Sequence, residues 1–309
     1  MPVKRLFTLL ALCLSLFARA FPLDSPAFAT LVQDSYREVP GAPPFRAWWE
    51  EAYRHAFGQT LQEALRRQAK APPLQAATWA FQAIKRLLPR FSLEEGYEFA
   101  YAARKGERQC LLQAVLVQGL LEEAGFRAGV YMVYENPEGK RSNLGHAVAV
   151  LRLGNRDYLV DPSEPTPFPR HRGLLVATAQ GLRFAEPQYG GDGAILAYRT
   201  REGTLTPTQV EPLPFAYVRS QFYYYRGEQA KGGVLRGPRS PQGLARSEAM
   251  LRKAVALAPE NPLALYLLGL ALGKEGKAGE AKEALRRAAA LYQTYGWVPP
   301  GVEAALSKP

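Results

Sequence analysis

The sequence predicts an α+β protein that ends in a helical segment, and three observations point to this class. Helical patterns separated by prolines fill residues 45–103. Apolar residues then alternate along short segments joined by turns over residues 128–161, which is typical of antiparallel strands. From Asn261 to Leu291, large and small apolar residues recur at the spacing of a helical hairpin.

The first 20 residues have the pattern of an export signal. Lys4 and Arg5 form a basic start, residues 6–17 are apolar, and Ala18 and Ala20 provide a small-x-small cleavage site. The apolar run is shorter than the roughly 20 residues that span a bilayer. We therefore expect an exported chain, periplasmic or extracellular, that is cleaved after Ala20. If it is not cleaved, the same segment would anchor the chain in the membrane.

Removal of this segment would take away Lys4, Arg5 and Arg19 and lower the formal net charge from +11 to +8. The remaining positive charge is spread along the chain, and basic spots such as Arg170-His171-Arg172 are short and not interleaved with aromatic residues. This pattern does not favour nucleic acid as a partner. A basic exported surface suits an anionic envelope polymer, although an ordinary solvated surface is the more common reason for such a charge.

Proline punctuates the N-terminal region. Residues 21–45 contain five prolines, which predicts an extended lead-in with little regular structure. Helical patterns follow over residues 45–69, 74–88 and 92–103, and Pro89 ends the second of them.

The next region changes from helix to strand. Residues 109–124 predict an apolar helix that Gly125 stops. Strands are then predicted over residues 128–134, 145–153 and 157–161. Short β-like pieces at 173–177 and 195–200, in a stretch rich in proline and glycine, are expected to complete the sheet.

A single cysteine, Cys110, would remain after Cys13 leaves with the signal peptide. An exported protein stabilised by disulfides keeps its cysteines in pairs, so this thiol is either buried and inert or retained for its reactivity. Cys110 lies at the start of the predicted helix, where the helix dipole and unpaired N–H groups favour a thiolate. The nearby Arg104 and Arg108 favour the anion further.

A histidine and an aspartate lie on the two strands that follow. His146 begins one strand, and Asp161 ends the next. A two-residue turn at Gly154-Asn155 would place Asp161 opposite Val148. Because side chains alternate along a strand, Val148 shares a face with His146, which makes His146 and Asp161 diagonal neighbours. A three-residue turn would instead separate them onto opposite faces.

Cys110, His146 and Asp161 together supply a nucleophile, a base and an orienting carboxylate. Each has an ordinary explanation when taken alone: a packed cysteine, a half-buried histidine and an Asp-Pro turn. A metal site fits less well, since the three histidines of the chain are far apart in sequence and lack paired Cys/His spacing. We therefore expect thiol chemistry without a metal or other cofactor.

Four segments resemble the transglutaminase-like, papain-related superfamily of cysteine enzymes: Gln109-Cys110, residues 120–128, Gly145-His146-Ala147-Val148 and residues 158–163. The resemblance implies an α+β fold in which an antiparallel sheet packs against the cysteine helix. It also implies a catalytic triad of Cys110, His146 and Asp161. The chain departs from the family pattern at Val148, where many members have an aromatic residue, and at Tyr158, where tryptophan is common.

Residues 261–291 resemble a tetratricopeptide repeat, in which large residues anchor the first helix and small ones allow close approach of the second. A shift of 34 residues places Leu251 and Ala254 in equivalent positions of an earlier unit. Residues 217–229 are the candidate first helix of that unit, but an unusually long loop would then follow them.

These observations divide the chain into a signal peptide (1–20), a transglutaminase-like domain (21–214) with a helical part (45–103) and a core (104–165), and a tetratricopeptide-like region (215–309). The expected function is a thiol-dependent amide hydrolase or acyltransferase, that is, a peptidase, an amidase or a transglutaminase-like enzyme. Its substrate would be a peptide or protein, and the helical region would take a protein partner. The alternative is a catalytically silent envelope scaffold that works through the helical repeat.

Overall fold

The computed structural model describes residues 22–307. The predicted signal peptide lies outside the described residues. Within residues 22–307, no helix has both the length and the apolar composition needed to cross a membrane. The described chain forms N-terminal helices, then an antiparallel β-barrel, then C-terminal helices.

From residue 22 onward, six helices precede the main β region: α1 (Pro26–Glu38), α2 (Phe45–Phe57), α3 (Leu61–Gln68), α4 (Pro73–Leu87), α5 (Phe99–Lys105) and α6 (Cys110–Glu123). The predicted helices at 74–88 and 109–124 are confirmed to within a residue at each end. The predicted helix at 92–103 is much shorter and begins at Phe99. The predicted helix at 45–69 is two helices, because the chain turns at Gly58 and restarts with Thr60 as a side-chain cap.

The prediction of an extended lead-in over residues 21–45 was wrong, because α1 occupies much of it. Ser25 caps the helix by accepting a hydrogen bond from the backbone N–H of Phe28 at 3.1 Å. Pro26 is the first helical residue, a position where proline has no N–H to lose and its fixed φ suits the helix. The buried Phe28 and Leu31 then dock the helix on the core.

The strands follow as β3 (Arg127–Glu135), β4 (Arg141–Leu153), β5 (Arg156–Val160), β6 (Gly173–Thr178), β7 (Gly181–Tyr189), β8 (Ile195–Thr200), β9 (Gly203–Leu205) and β10 (Val210–Glu211). Two short strands, β1 (Arg90–Phe91) and β2 (Glu107–Arg108), form a separate parallel pair before them. In the main sheet every pairing among the described strands is antiparallel. The predicted pieces at 173–177 and 195–200 are confirmed as strands of this sheet.

The main sheet closes on itself. Strand β6 pairs with β3 on one side and with β7 on the other, so the ring runs β3–β4–β5–β8–β7–β6 and back to β3. Its interior contains large apolar side chains, among them Tyr131, Val150, Leu159 and Tyr198. The outer face of β3 and β4 packs against α6. Helix α6 has buried residues on every side, as expected for a helix with no polar face.

The turn between β4 and β5 has the predicted two-residue form. Leu153 pairs with Arg156, and Ala149 pairs with Val160. The next position in this register sets Val148 opposite Asp161, as the sequence predicts. A shift of one residue would have moved Asp161 to the other face of the sheet.

The C-terminal part consists of α7 (Phe215–Glu228), α8 (Pro241–Leu257), α9 (Pro262–Lys274), α10 (Ala278–Tyr295) and α11 (Pro300–Leu306). Helices α7–α8 and α9–α10 form two successive hairpins. A β-carbon on Gly269 would lie 2.7 Å from Cγ of Leu285, and one on Gly227 would lie 2.5 Å from Cγ of Leu251. Each hairpin thus uses a glycine for the close approach of its two helices. The two leucines that face these glycines, Leu251 and Leu285, are 34 residues apart in the sequence.

Helix α7 packs deeply against the N-terminal helices. Phe222 stacks on Phe99 with ring centroids 5.7 Å apart. The guanidinium of Arg226 donates two hydrogen bonds to the carboxylate of Glu98, at 2.6 and 2.9 Å, and both side chains are 3% exposed. The apolar core is continuous from the N-terminal helices through the outer face of the barrel to α7 and α9.

We predict that Arg226→Met lowers the free energy of unfolding by about 3–5 kcal/mol, because it leaves the buried Glu98 carboxylate without its partner. Urea unfolding at pH 7 measures this loss. Arg252→Met is the matched control: Arg252 is 47% exposed and pairs with Glu248, so its loss should cost about 1 kcal/mol or less. The double variant Arg226→Met, Glu98→Gln should recover part of the loss. A double variant as unstable as the sum of the two single variants would contradict the explanation.

Candidate active site

Cys110 is the first residue of α6. The side chain of Gln109 caps this helix, its Oε1 accepting a hydrogen bond from the backbone N–H of Leu111 at 3.0 Å. The backbone N–H of Cys110 has no partner within the helix, as for every residue of a first turn. The thiol is 5% exposed, so the helix start that the sequence predicts is also an interior position.

His146 lies on β4 directly after Gly145, whose φ is 70°. A β-carbon at Gly145 would lie 2.9 Å from Cε of Met132 and 3.3 Å from the ring of Tyr134, and a larger residue would be strained at this positive φ. The Nε2 of His146 donates a hydrogen bond to Oδ2 of Asp161 at 2.6 Å. The structure therefore brings these two predicted residues together, and Nδ1 is the ring nitrogen left to serve the thiol.

Asp161 has no solvent exposure, and its two oxygens collect four hydrogen bonds. Oδ2 accepts from His146 and also from Nε2 of His171, the latter at 2.9 Å. Oδ1 accepts from the backbone N–H of Ser163 at 2.9 Å and from Nε2 of Gln113 at 3.4 Å. A buried carboxylate with this many donors is held in one orientation and remains charged.

His171 is a member of the site that the sequence reasoning missed. In the sequence it belongs to a short basic spot, whereas in the structure its side chain is 1% exposed and lies against Asp161. Its Nδ1 is buried without a hydrogen-bond partner in the described part of the chain. It lies in a loop between β5 and β6, where no periodicity marks a side chain as inward-facing. The one available signal was a histidine soon after the strand that ends in Asp161.

Tyr225 is the other group that the sequence did not reveal. Its hydroxyl lies 3.5 Å from Sγ of Cys110, and its ring stacks on Tyr97 with centroids 5.6 Å apart. Tyr225 comes from α7, 115 residues beyond the cysteine. The C-terminal helices therefore contribute one wall of the thiol site.

The electrostatics of Cys110 and His146 favour an ion pair. Burial alone would raise the pKa of the Cys110 thiol. The charge of His146 opposes this, together with hydrogen bonds from His146, Tyr225 and the backbone of Ala147, and the net result is a pKa below the ordinary value. Burial acts to lower the pKa of His146, but the charges of Asp161 and Cys110 raise it well above its ordinary value. The two shifts together favour a thiolate beside an imidazolium.

Asp161 responds to the same charges. Burial would raise the pKa of this carboxyl, but the charge and hydrogen bond of His146, followed by those of His171, hold it far below its usual range. Asp161 is therefore an anion at neutral pH, and it stabilises the imidazolium of His146.

His146, Asp161 and His171 also form a set of potential metal ligands, since their donor atoms lie within 4.8 Å of one another. Two imidazole nitrogens and a carboxylate oxygen suit Zn²⁺ or a related ion. In the arrangement seen, however, both Nε2 atoms donate to the same carboxylate oxygen, so the three atoms that would bind the ion already have hydrogen-bond partners. The set is compatible with a metal but does not need one to be stable.

A depression of about 250 Å³ leads to the histidine side of this cluster. His146 and His171 line it together with Phe91, Tyr134, Ser163 and Glu164. The side chain of His146 is 27% exposed, whereas Cys110 is 5% exposed and does not line the depression. A molecule entering this opening would therefore meet His146 before Cys110.

No protein-family model matches the chain, and no curated protein matches it. Among solved structures, it is similar to one described as a crystal structure of menin that reveals the binding site for Mixed Lineage Leukemia (MLL) protein. The identity is 10% and the TM-score 0.47, with 90% of this chain and 64% of the menin chain covered. The chain thus spans less than two thirds of that structure, and a likeness at this level establishes neither a shared family nor a shared function.

The test uses a chain carrying Cys13→Ser, so that Cys110 is the thiol measured. We predict that the rate of Cys110 labelling by iodoacetamide rises with pH with a midpoint below pH 8.5, the ordinary thiol value. His146→Ala should move the midpoint upward, because burial then acts on the thiol without the opposing imidazolium charge. His55→Ala is the matched control, since His55 is an exposed histidine of α2, and it should leave the midpoint unchanged. Labelling that appears only when the chain unfolds, in wild type and in Tyr225→Ala alike, would contradict an activated thiol.

We also predict that Asp161→Asn lowers the free energy of unfolding at pH 7 by about 2 kcal/mol, the scale of charge-assisted hydrogen bonds. Because the folded state depresses the pKa of Asp161, its contribution is fully present above the unfolded value of about 3.9 and is lost as the pH falls below it. The difference from wild type in urea unfolding should therefore shrink in acid. Asp24→Asn, at an exposed carboxylate paired with Arg46, should change stability by about 1 kcal/mol or less. A difference for Asp161→Asn that is independent of pH would contradict this origin.

Proposed function

We propose that the protein is a thiol-dependent amide hydrolase or acyltransferase that acts on peptides or proteins through Cys110, His146 and Asp161. The observation that carries the proposal is the position of His146. It hydrogen-bonds to a buried carboxylate at 2.6 Å and lowers the pKa of the thiol on its other side. A nucleophile, a base and an orienting anion in this order are what acyl transfer requires.

In the proposed reaction the thiolate of Cys110 attacks the amide carbonyl carbon, and the carbonyl oxygen becomes an oxyanion. The unpaired backbone N–H of Cys110 is placed to donate to this oxyanion. The tetrahedral intermediate then loses its C–N bond as His146 gives its proton to the departing amine, which leaves a thioester on Cys110. Water attacks the thioester and gives a proton to His146. The carboxylic acid is released, and the ion pair of Cys110 and His146 is restored. An amine in place of water yields a new amide.

Three further parts of the proposal concern the family, the helical hairpins and the N-terminal segment. The motifs around Cys110, His146 and Asp161 are the reason for proposing a relationship with the transglutaminase-like enzymes. The two hairpins of α7–α10 are proposed to be tetratricopeptide-like and to offer a surface to a protein partner. The N-terminal segment is proposed to export the chain across a membrane.

A second candidate is a catalytically silent scaffold, and one observation favours it. Cys110 is 5% exposed, and the hydroxyl of Tyr225 lies against its sulfur. A substrate carbonyl cannot reach the thiol unless Tyr225 moves. A protein that never makes this movement would keep the ion pair as a structural feature and would act through its helices alone.

We predict that wild type cleaves members of a peptide 4-nitroanilide library and that Cys110→Ala abolishes the cleavage. Asp161→Asn should slow it about 100-fold or more, because His146 loses its orienting anion. His55→Ala should retain full activity. Mass spectrometry of rapidly quenched reactions should find the acyl group on Cys110.

The same assay separates the two candidates. An inactive wild type together with an active Tyr225→Ala variant would identify a covered enzyme and support the proposal. Cleavage that persists in Cys110→Ala, or inactivity of both wild type and Tyr225→Ala, would contradict it. Inactivity of both chains would make the scaffold the better account.

A further inference from the structure

A second cleft of about 290 Å³ lies where the barrel meets the end of α10. One wall is formed by the end of β3 and the starts of β4 and β6, and a second wall by β7 and β8. Gly296 and Trp297, which follow α10, close the remaining side. The cleft is distinct from the depression beside His146, although Tyr134 contributes to both.

Three aromatic rings form the apolar part of this cleft. Tyr134 and Phe184 lie 5.1 Å apart, Phe184 and Trp297 5.1 Å, and Tyr134 and Trp297 5.7 Å, measured between ring centroids. All three pairs are edge-to-face. Phe184 and Trp297 are partly exposed, whereas Tyr134 is buried beneath them. Two partly exposed aromatic rings thus line the cleft, which suits an apolar or aromatic side chain.

The rim of the cleft is positively charged. It contains four arginines and two glutamates: Arg141, Arg172, Arg199, Arg201, Glu135 and Glu186. Glu135 accepts from Arg141 at 2.9 Å and pairs with Arg172 at 3.3 Å, and Glu186 pairs with Arg199. Arg201 is exposed and has no ion-pair partner among residues 22–307. The rim therefore has an excess of two positive charges, one of them on an unengaged guanidinium.

We propose that this cleft recognises an acidic peptide segment that carries an apolar side chain. A carboxylate of the peptide would pair with the guanidinium of Arg201, whose planar fork matches carboxylate geometry. The apolar side chain would pack on Phe184 and Trp297. The existing pairs of the rim arginines with Glu135 and Glu186 show that carboxylates are accommodated at this surface.

The position of the cleft relates it to the thiol site. Tyr134 lines both openings, and Arg172 at the rim directly follows His171, which hydrogen-bonds to Asp161. A bound segment could therefore continue toward the depression beside His146, since an extended chain advances about 3.3 Å per residue. The choice of a peptide rests on the proposed function, whereas the preference for carboxylate rests on the arginines alone.

Fluorescence anisotropy tests this assignment with the Cys110→Ala chain, which cannot turn over a bound peptide. The probe is a fluorescein-labelled peptide in which two glutamates flank a phenylalanine on each side. Arg201→Gln and Trp297→Ala should each weaken binding about tenfold, the effect of losing one charge-assisted or aromatic contact. Arg287→Gln is the matched control: it removes an exposed arginine of α10 outside the cleft and should leave affinity unchanged. Added salt should weaken binding.

Several results would overturn the assignment. Equal binding by Arg201→Gln, or equal binding of a peptide with glutamine in place of glutamate, would show that the cleft does not read carboxylates. Displacement of the probe by inorganic phosphate or polygalacturonate as readily as by unlabelled peptide would show an anion or polymer site instead of a peptide site. Circular dichroism checks that Trp297→Ala is folded. If Trp297→Ala is unstable, the test depends on Arg201→Gln, which changes an exposed side chain.

The two proposals fail separately. An acidic peptide that binds through Arg201 but is never cleaved by wild type would remove the proposed activity and leave the recognition cleft. If instead peptides are cleaved at the same rate with or without acidic residues, and by Arg201→Gln as fast as by wild type, the activity would stand and the cleft assignment would be wrong.

Discussion

The buried carboxylate of Asp161 is the constraint on which the site depends. A charge without solvent exposure is costly unless donors surround it. Here the donors come from four different segments: His146 on β4, His171 before β6, Gln113 on α6 and the backbone of Ser163 after β5. All four must arrive together for the carboxylate to stay charged. Closure of the barrel and docking of α6 are thus coupled to one another through a single side chain.

Helix α7 makes the C-terminal hairpins part of the same arrangement. Tyr225 touches the sulfur of Cys110, and the next residue, Arg226, forms the buried ion pair with Glu98. Because the two residues are adjacent, the ion pair that holds α7 against the N-terminal helices also sets the position of Tyr225 relative to Cys110. The environment of Cys110 is therefore built by both ends of the chain, although its reactive partners all lie between residues 146 and 171.

Local signals predicted what local physics determines. Glycine and asparagine at 154–155 predicted the two-residue turn, and with it the meeting of His146 and Asp161. Closure of the barrel was not predictable in this way, because the pairing of β6 with both β3 and β7 depends on contacts distant in sequence. His171 lies in a loop without periodicity, and Tyr225 lies on a helix buried on most sides. Neither has a pattern that separates a site residue from a packed one.

The burial of Cys110 and its proposed reactivity are compatible if Tyr225 has two roles. Burial, followed by the negative charge of Cys110, raises the pKa of the Tyr225 phenol well above its ordinary value, so the hydroxyl keeps its proton. A protonated phenol 3.5 Å from the sulfur can donate to the thiolate. When the thiolate attacks a carbonyl, its negative charge passes to the carbonyl oxygen, two bonds from the sulfur. In the proposed reaction the hydroxyl moves off the sulfur to admit the carbonyl, and from a position nearby it would donate to the oxyanion.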